Sequence, residues 1–143
     1  MASIFTRIIQ GEIPGRFVWR DEQCVAFLSI QPIRAGHTLI VPRVEVDHWT
    51  DLEPQLAAHL FGVAQNVARA MKHGFGCEKV GVTILGLEVR HMHLHLMQLD
   101  KPDDMDFKRQ RSNVPAAEFD AAAETIRTAL RELGLDKRAQ ALS

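Results

Sequence analysis

Arg90-His91-Met92-His93-Leu94-His95-Leu96-Met97 is the stretch from which the rest of the chain can be read. Its histidines recur at every second residue, with Met92, Leu94 and Leu96 in the gaps and beyond them. In an extended strand side chains alternate between faces, so His91, His93 and His95 share one face and Met92, Leu94 and Leu96 fill the other, a core face. Neighbouring histidines on that face stand about 6.5–7 Å apart, from the strand rise. Such a row can ligate a metal, hold a phosphate oxygen or attack phosphorus. A neutral imidazole, with an unperturbed pKa of about 6.5, attacks without first losing a proton. Its phosphorylated form is a good leaving group, which splits one displacement into two. The attacking nitrogen is free only if the other ring nitrogen donates to a fixed acceptor, and a nearby backbone carbonyl can be that acceptor. Histidines at i and i+2 with a third ligand also suit zinc. Spacing alone leaves phosphate chemistry and metal binding both open.

Working outward, Val80 to Leu85 reads as a strand, Gly86 as a bend and Val89 to Leu99 as the histidine strand. In an unbroken strand Glu88 points away from the histidine face. Upstream, Thr50-Asp51-Leu52-Glu53 fits a capping box. Leu56, Leu60, Val63, Ala64, Val67 and Met71 then follow at helical spacing, with Gly74 and Gly76 as the stop. Phe17-Val18-Trp19 and Cys24-Val25-Ala26-Phe27-Leu28 are β-rich runs suited to a hairpin, and His37 to Val41 is a further strand ended by Pro42. Ser3 to Ile9 forms a short helix or an extended lead-in, stopped by Gly11 and Pro14. Downstream, Asp100 to Pro115 is a polar surface loop, and Ala116 to Leu133 carries a second apolar helical stripe with Gly134 at its C-cap. The expected fold is α+β: a mainly antiparallel sheet, one long crossing helix and a C-terminal helix.

The chain has 143 residues, with 46% hydrophobic and 24% charged side chains, and no repeat or linker divides it. A single domain over 1–143 is expected, with its motifs within about 3–98. A formal net charge of −1 supplies no general attraction to nucleic acid or an anionic membrane, so any phosphate recognition must be local. Cys24 and Cys77 form no CxxC pair and are expected reduced. The N-terminal residues contain no apolar leader run, and the expected compartment is the cytoplasm. His48, His59 and His73 have no motif support and are assigned surface or cap roles. Lys108, Arg109 and Arg111 are read as a solvated loop.

The sequence resembles a known family. His91-Met92-His93-Leu94-His95-Leu96-Met97 is similar to the His-φ-His-φ-His-φ-φ signature of the histidine triad (HIT) nucleotide hydrolases and transferases. Ser3-Ile4-Phe5-Thr6-Arg7-Ile8-Ile9, followed by Gly11-Glu12-Ile13-Pro14, resembles that family's N-terminal segment, and Gly36-His37-Thr38-Leu39-Ile40-Val41-Pro42 resembles its second hallmark. The resemblance is greatest to the small nucleotide-binding members. It implies hydrolysis or nucleotidyl transfer at an α-phosphate through a covalent phosphohistidine, with nucleoside phosphoramidates favoured and no cofactor. By position, His93 is the implied nucleophile, His95 holds a non-bridging oxygen, His91 orients His93, partly through its carbonyl, and His37 completes the cluster. Phe5 and Phe27 fall where the nucleoside pocket's apolar walls are expected, and a homodimer is implied. A nucleotide-binding module with little turnover and a metal-dependent hydrolase are the alternatives.

Three positions differ from the family pattern. Ser3 and Thr6 stand where some members have zinc-binding Cys-x-x-Cys, and hydroxyls are poor zinc ligands, so no metal is expected. Gly86-Leu87-Glu88 replaces the common Gly-Gln-Ser: leucine donates no hydrogen bond, and Glu88 either repels a phosphate or, protonated, donates to the leaving group. Ser29 replaces an aspartate that grips the ribose, so one hydroxyl can still be bonded without charge assistance.

Overall fold

The computed structural model describes residues 1–139, and its sheet is organised by two strands that are buried on both faces. These are β2 (Cys24–Leu28) and β3 (Thr38–Pro42); β1 (Phe17–Arg20) flanks β2, while β5 (Leu94–Leu99) and then β4 (Lys79–Thr83) flank β3. Every pairing is antiparallel, in the order β1-β2-β3-β5-β4. Three helices complete the expected α+β architecture: α1 (Ile4–Ile9), α2 (Pro54–Phe75) and α3 (Ala116–Glu132).

Because strand side chains alternate, the sheet divides the apolar residues between two cores. Ala26, Leu28, Ile40, Leu94 and Leu96 point to one face, where Leu60, Val63, Val67 and Met71 of α2 and Ile126 and Leu130 of α3 cover them. Val25, Phe27, Leu39 and Val41 point to the other, under Phe5 and Ile8 of α1. Register then fixes the site. Phe27 pairs with Leu39, Leu39 with His95, and His95 with Thr83, so this row runs across the face that α1 covers only in part.

Several boundaries differ from the sequence reading. The histidine strand begins at Leu94, not Val89. Its partner β3 ends at Pro42, which has no N–H to extend the ladder. Beyond that point the Met92 amide donates to the Val46 carbonyl at 2.7 Å instead. The capping box does not form: His48 caps a 3₁₀ turn at Trp49–Asp51, and α2 starts at Pro54 with no side-chain cap from Glu53. Proline at the first helical position supplies the start, since its missing N–H would be unpaired there anyway. Gly74 does not end α2. It lies within it, where a Cβ would stand 2.8 Å from Thr125 Cγ2 of α3. Gly76, with φ 71°, is the left-handed C-cap.

The segment after β5 is not a plain loop. It contains 3₁₀ turns at Pro102–Met105 and Phe107–Arg109. Buried Asp104 accepts the amides of Asp100 and Lys101, and Arg34 Nη1 bridges Asp100 at 2.7 Å and Asp104 at 3.1 Å. The Arg111 amide donates to the Pro32 carbonyl, so the segment is tied down onto the 29–37 stretch. Cys24 and Cys77 are both free and buried. Among the described residues no helix is long and apolar enough to cross a membrane.

Candidate active site

Gly36 sets up the turn into β3 with φ 89°, and a side chain there would strike the Phe75 ring. His37 follows, buried, just ahead of β3. Its Nδ1 accepts the Ile33 amide N–H at 3.1 Å, so the neutral ring carries its proton on Nε2. That N–H donates to His95 Nδ1 at 2.9 Å. His95 must then carry its own proton on Nε2. His93 is set the other way round. Its Nδ1–H donates to the His91 carbonyl at 2.8 Å, which leaves Nε2 with a free lone pair. His91 Nε2–H donates to the Pro42 carbonyl at 2.7 Å, and His91 Nδ1 lies 2.6 Å from the Ser3 hydroxyl. Backbone groups thus determine which nitrogen of His37, His91 and His93 is protonated, and His37 sets that of His95.

Burial disfavours the charged form of His37, His95 and His93. Removal from water, with His93 nearby, pushes His37 down to about 4. Removal from water, then His93 and His37, pushes His95 down to about 3. His93 is lowered as well, chiefly by burial; the bond to the His91 carbonyl opposes the shift, and the nearby His91 adds to it. His93 and His95 keep 6% and 7% exposure, enough for a small ligand to reach the ring edges, whereas His91 keeps none. The two rings converge to 4.8 Å between centroids. Phe5 packs edge-on to His93 at 4.8 Å, and Phe107 edge-on to His95 at 4.9 Å.

Two cavities meet at this cluster. One, of about 220 Å³, contains His93 and His95 together with Leu85, Leu87, Glu88 and Phe107. Glu88 therefore lines the histidine cavity and does not face away from it, because residues 84–93 form no regular strand. The other, of about 260 Å³, is largely apolar and includes Phe5, Phe27, Ser29, Leu39 and Phe119. Gln31, Val89 and His95 line both. The fold thus brings together all eight residues picked from the sequence. Phe107, Phe119, Gln31 and the Ser3–His91 bond were not picked. Phe107 stands in a polar stretch with no periodicity, and Phe119 reads from the sequence only as part of an apolar helical stripe.

His48, His59 and His73 lie outside the cluster: His48 caps its turn, and His59 and His73 face Asp21 and Glu132. Lys108 and Arg109 are exposed, and Arg111 pairs with Glu118. The donors around Ser3 and Thr6 do not fit zinc. Thr6 Oγ1–H donates to Glu45 at 2.6 Å, and both ring nitrogens of His91 are engaged. A separate group, Asp21, Cys24 and His59, has metal-type ligands in reach of one another at the β1–β2 turn. Those atoms already serve the turn. Asp21 accepts the amides of Gln23 and Cys24, the Trp19 indole N–H and His59, and burial pushes the Cys24 thiol well up.

With this geometry in place, comparison with known proteins gives a consistent picture. The family model described as the HIT domain matches residues 10–101. The protein Hit of Bacillus subtilis is 34% identical over 101 residues, covering 66% of this chain and 68% of its own. An uncharacterized HIT-like protein of Methanocaldococcus jannaschii is 36% identical over 98 residues, covering 66% and 76%. A zinc-bound histidine triad family protein of Mycobacterium smegmatis superimposes with a TM-score of 0.81 at 27% identity, over 94% of this chain and 96% of that one. The family match, the identity with HIT-like relatives and the shared fold lead to one conclusion: this chain belongs to the HIT family.

Proposed function

We propose that the protein is a nucleotide hydrolase or nucleotidyl transferase that acts at an α-phosphate through a phosphohistidine on His93. Family membership supports a nucleotide-binding, hydrolase-type function at a coarse level. One observation carries the finer reading: opposite protonation of adjacent rings. His93 offers a lone pair on Nε2, and His95 beside it offers an N–H. The lone pair attacks phosphorus in line, the bond to the leaving group breaks, and the leaving group takes its electron pair and a proton from solvent as it departs. His95 Nε2–H holds a non-bridging oxygen as charge grows there. Water then attacks phosphorus, the P–Nε2 bond breaks with its electron pair returning to His93, and the nucleoside monophosphate leaves while the proton lost by water passes to solvent. The apolar cavity, with Phe5 and Phe27 among its walls, suits a nucleobase, and a purine is favoured by analogy. Ser29, whose oxygen accepts the Gln31 amide, keeps a hydroxyl proton for one sugar hydroxyl.

Among the described residues no lysine or arginine lines the histidine cavity, and Glu88 does. An anionic leaving group such as pyrophosphate finds no counter-charge there. This favours phosphoramidates, whose amine departs neutral or cationic. His93→Ala is expected to abolish turnover of adenosine 5′-phosphoramidate, and His93→Gly to regain part of it with added imidazole. Full activity in His93→Ala would overturn the nucleophile assignment.

A binding module with little turnover is the second reading, favoured by Leu87 and Glu88 in that cavity. Trapped phosphohistidine after rapid quenching separates the two. A homodimer is also proposed: β4 is an edge strand with Val82 exposed, and Leu85 and Leu87 are exposed beside it. Sedimentation should give a dimer that Val82→Glu converts to monomer. Two free cysteines favour a reducing, cytoplasmic compartment.

A further inference from the structure

His91 is the triad member that contacts neither cavity, yet its ring is held at both ends. A carbonyl only accepts, so the 2.7 Å bond to Pro42 O puts the proton of His91 on Nε2. His91 is wholly buried, and a neutral ring there needs a donor at Nδ1. The Ser3 hydroxyl is that donor. It lies 2.6 Å from Nδ1, against 3.3 Å from Thr6 Oγ1, its other contact of this kind. The Thr6 amide donates to the same Ser3 oxygen at 3.0 Å. Glu45 Oε1 accepts both the Ser3 amide and the Thr6 hydroxyl, each at 2.6 Å. Thr6 therefore gives its proton to Glu45, and the Ser3 proton is directed at His91.

From these contacts we propose that Ser3 is a positioning residue for His93, acting through the ring of His91. With the tautomer set by the Pro42 carbonyl, the hydroxyl holds the other end of the His91 ring in one orientation, and so steadies the carbonyl that accepts His93 Nδ1–H. Helix α1 carries the same constraint a second way, since Phe5, two residues after Ser3, packs on His91 at 5.8 Å and on His93 at 4.8 Å. The N-terminal segment thus aims the nucleophile without touching the phosphate. The proposal rests on His93 being that nucleophile.

Ser3 is also the N-cap of α1, so a test must separate capping from proton donation. Glycine at an N-cap is nearly as good as serine, whereas threonine keeps both cap and donor. In Ser3→Gly, kcat for adenosine 5′-phosphoramidate is expected to fall about tenfold to a hundredfold, the scale of a misaligned reacting group, with KM little changed. Ser3→Thr should recover turnover. Nitrogen-15 spectra of the histidine rings supply a readout independent of activity. The full-length wild-type protein should show His91 protonated on Nε2 and bare on Nδ1, and Ser3→Gly should disturb His91 Nδ1 and speed solvent exchange of the His93 Nδ1 proton. Wild-type kcat in Ser3→Gly with an unchanged His91 spectrum, or His91 protonated on Nδ1 in the wild type, overturns the proposal. If the wild type fails to turn over the probe, the nucleophile reading fails, and the ring spectra alone decide the role of Ser3.

Discussion

At the scale of single residues, the site depends on where four protons sit. His37 and His95 form a chain that starts at the Ile33 amide and ends on an N–H at the cavity; His93 forms a separate one that ends on a lone pair. Keeping these rings neutral has a pH signature. Between pH 6.5 and about 4 the unfolded chain takes up protons at His37 and His95 that the folded chain refuses. Stability therefore falls as pH falls across that window, by up to about 1.4 kcal/mol per pH unit for each ring. The loss levels off below about 4 for His37 and about 3 for His95. Urea midpoints at pH 7 and pH 5 should show the drop, and His37→Gln should make it shallower. Since His93 is also lowered, the acid limb of kcat/KM should lie below pH 6.5.

At the scale of elements, two contacts control the geometry. Helices α2 and α3 approach closely at Gly74, where a Cβ would meet Thr125 Cγ2 at 2.8 Å and its carbonyl at 3.1 Å. Gly74→Val should force the helices apart and cost about 1–3 kcal/mol, the usual range for overpacking. Thermal unfolding will measure this, and activity well below the transition should persist because the sheet separates this contact from the histidines. The 100–115 segment acts directly on the site. Phe107 covers His95 at 4.9 Å and His37 at 6.1 Å. Phe107→Ala should admit water and let the His95 pKa rise back toward 6.5, which an NMR titration will show. On α3, Phe119 lines the apolar cavity, so Phe119→Ala should raise KM for the nucleotide more than it lowers kcat.

At the scale of the molecule, the sheet works as a partition. One face is sealed by α2 and α3 and holds the larger core; the other is closed only in part by α1, and the opening that remains is the apolar cavity of the candidate site. The alternation at 91–97 and the helical stripes were legible because both periods follow from local backbone geometry. Misread boundaries had nonlocal causes: Pro42 ends the partner of the histidine strand, and Thr125 explains Gly74. Glu88 was misplaced for a similar reason, since the strand assumed to carry it stops short of it.

The sequence by itself determined the α+β class, the core face of Met92, Leu94 and Leu96, and which histidines could work together, since strand alternation acts over two residues. Only the tertiary structure decided which nitrogen of His37, His91 and His95 holds its proton. Those positions depend on the Ile33 amide, the Pro42 carbonyl and the Ser3 hydroxyl, groups brought to the rings by register and packing. It likewise decided that Phe107 and Phe119 wall the cavities, because neither lies within the part of the chain that carries the motifs.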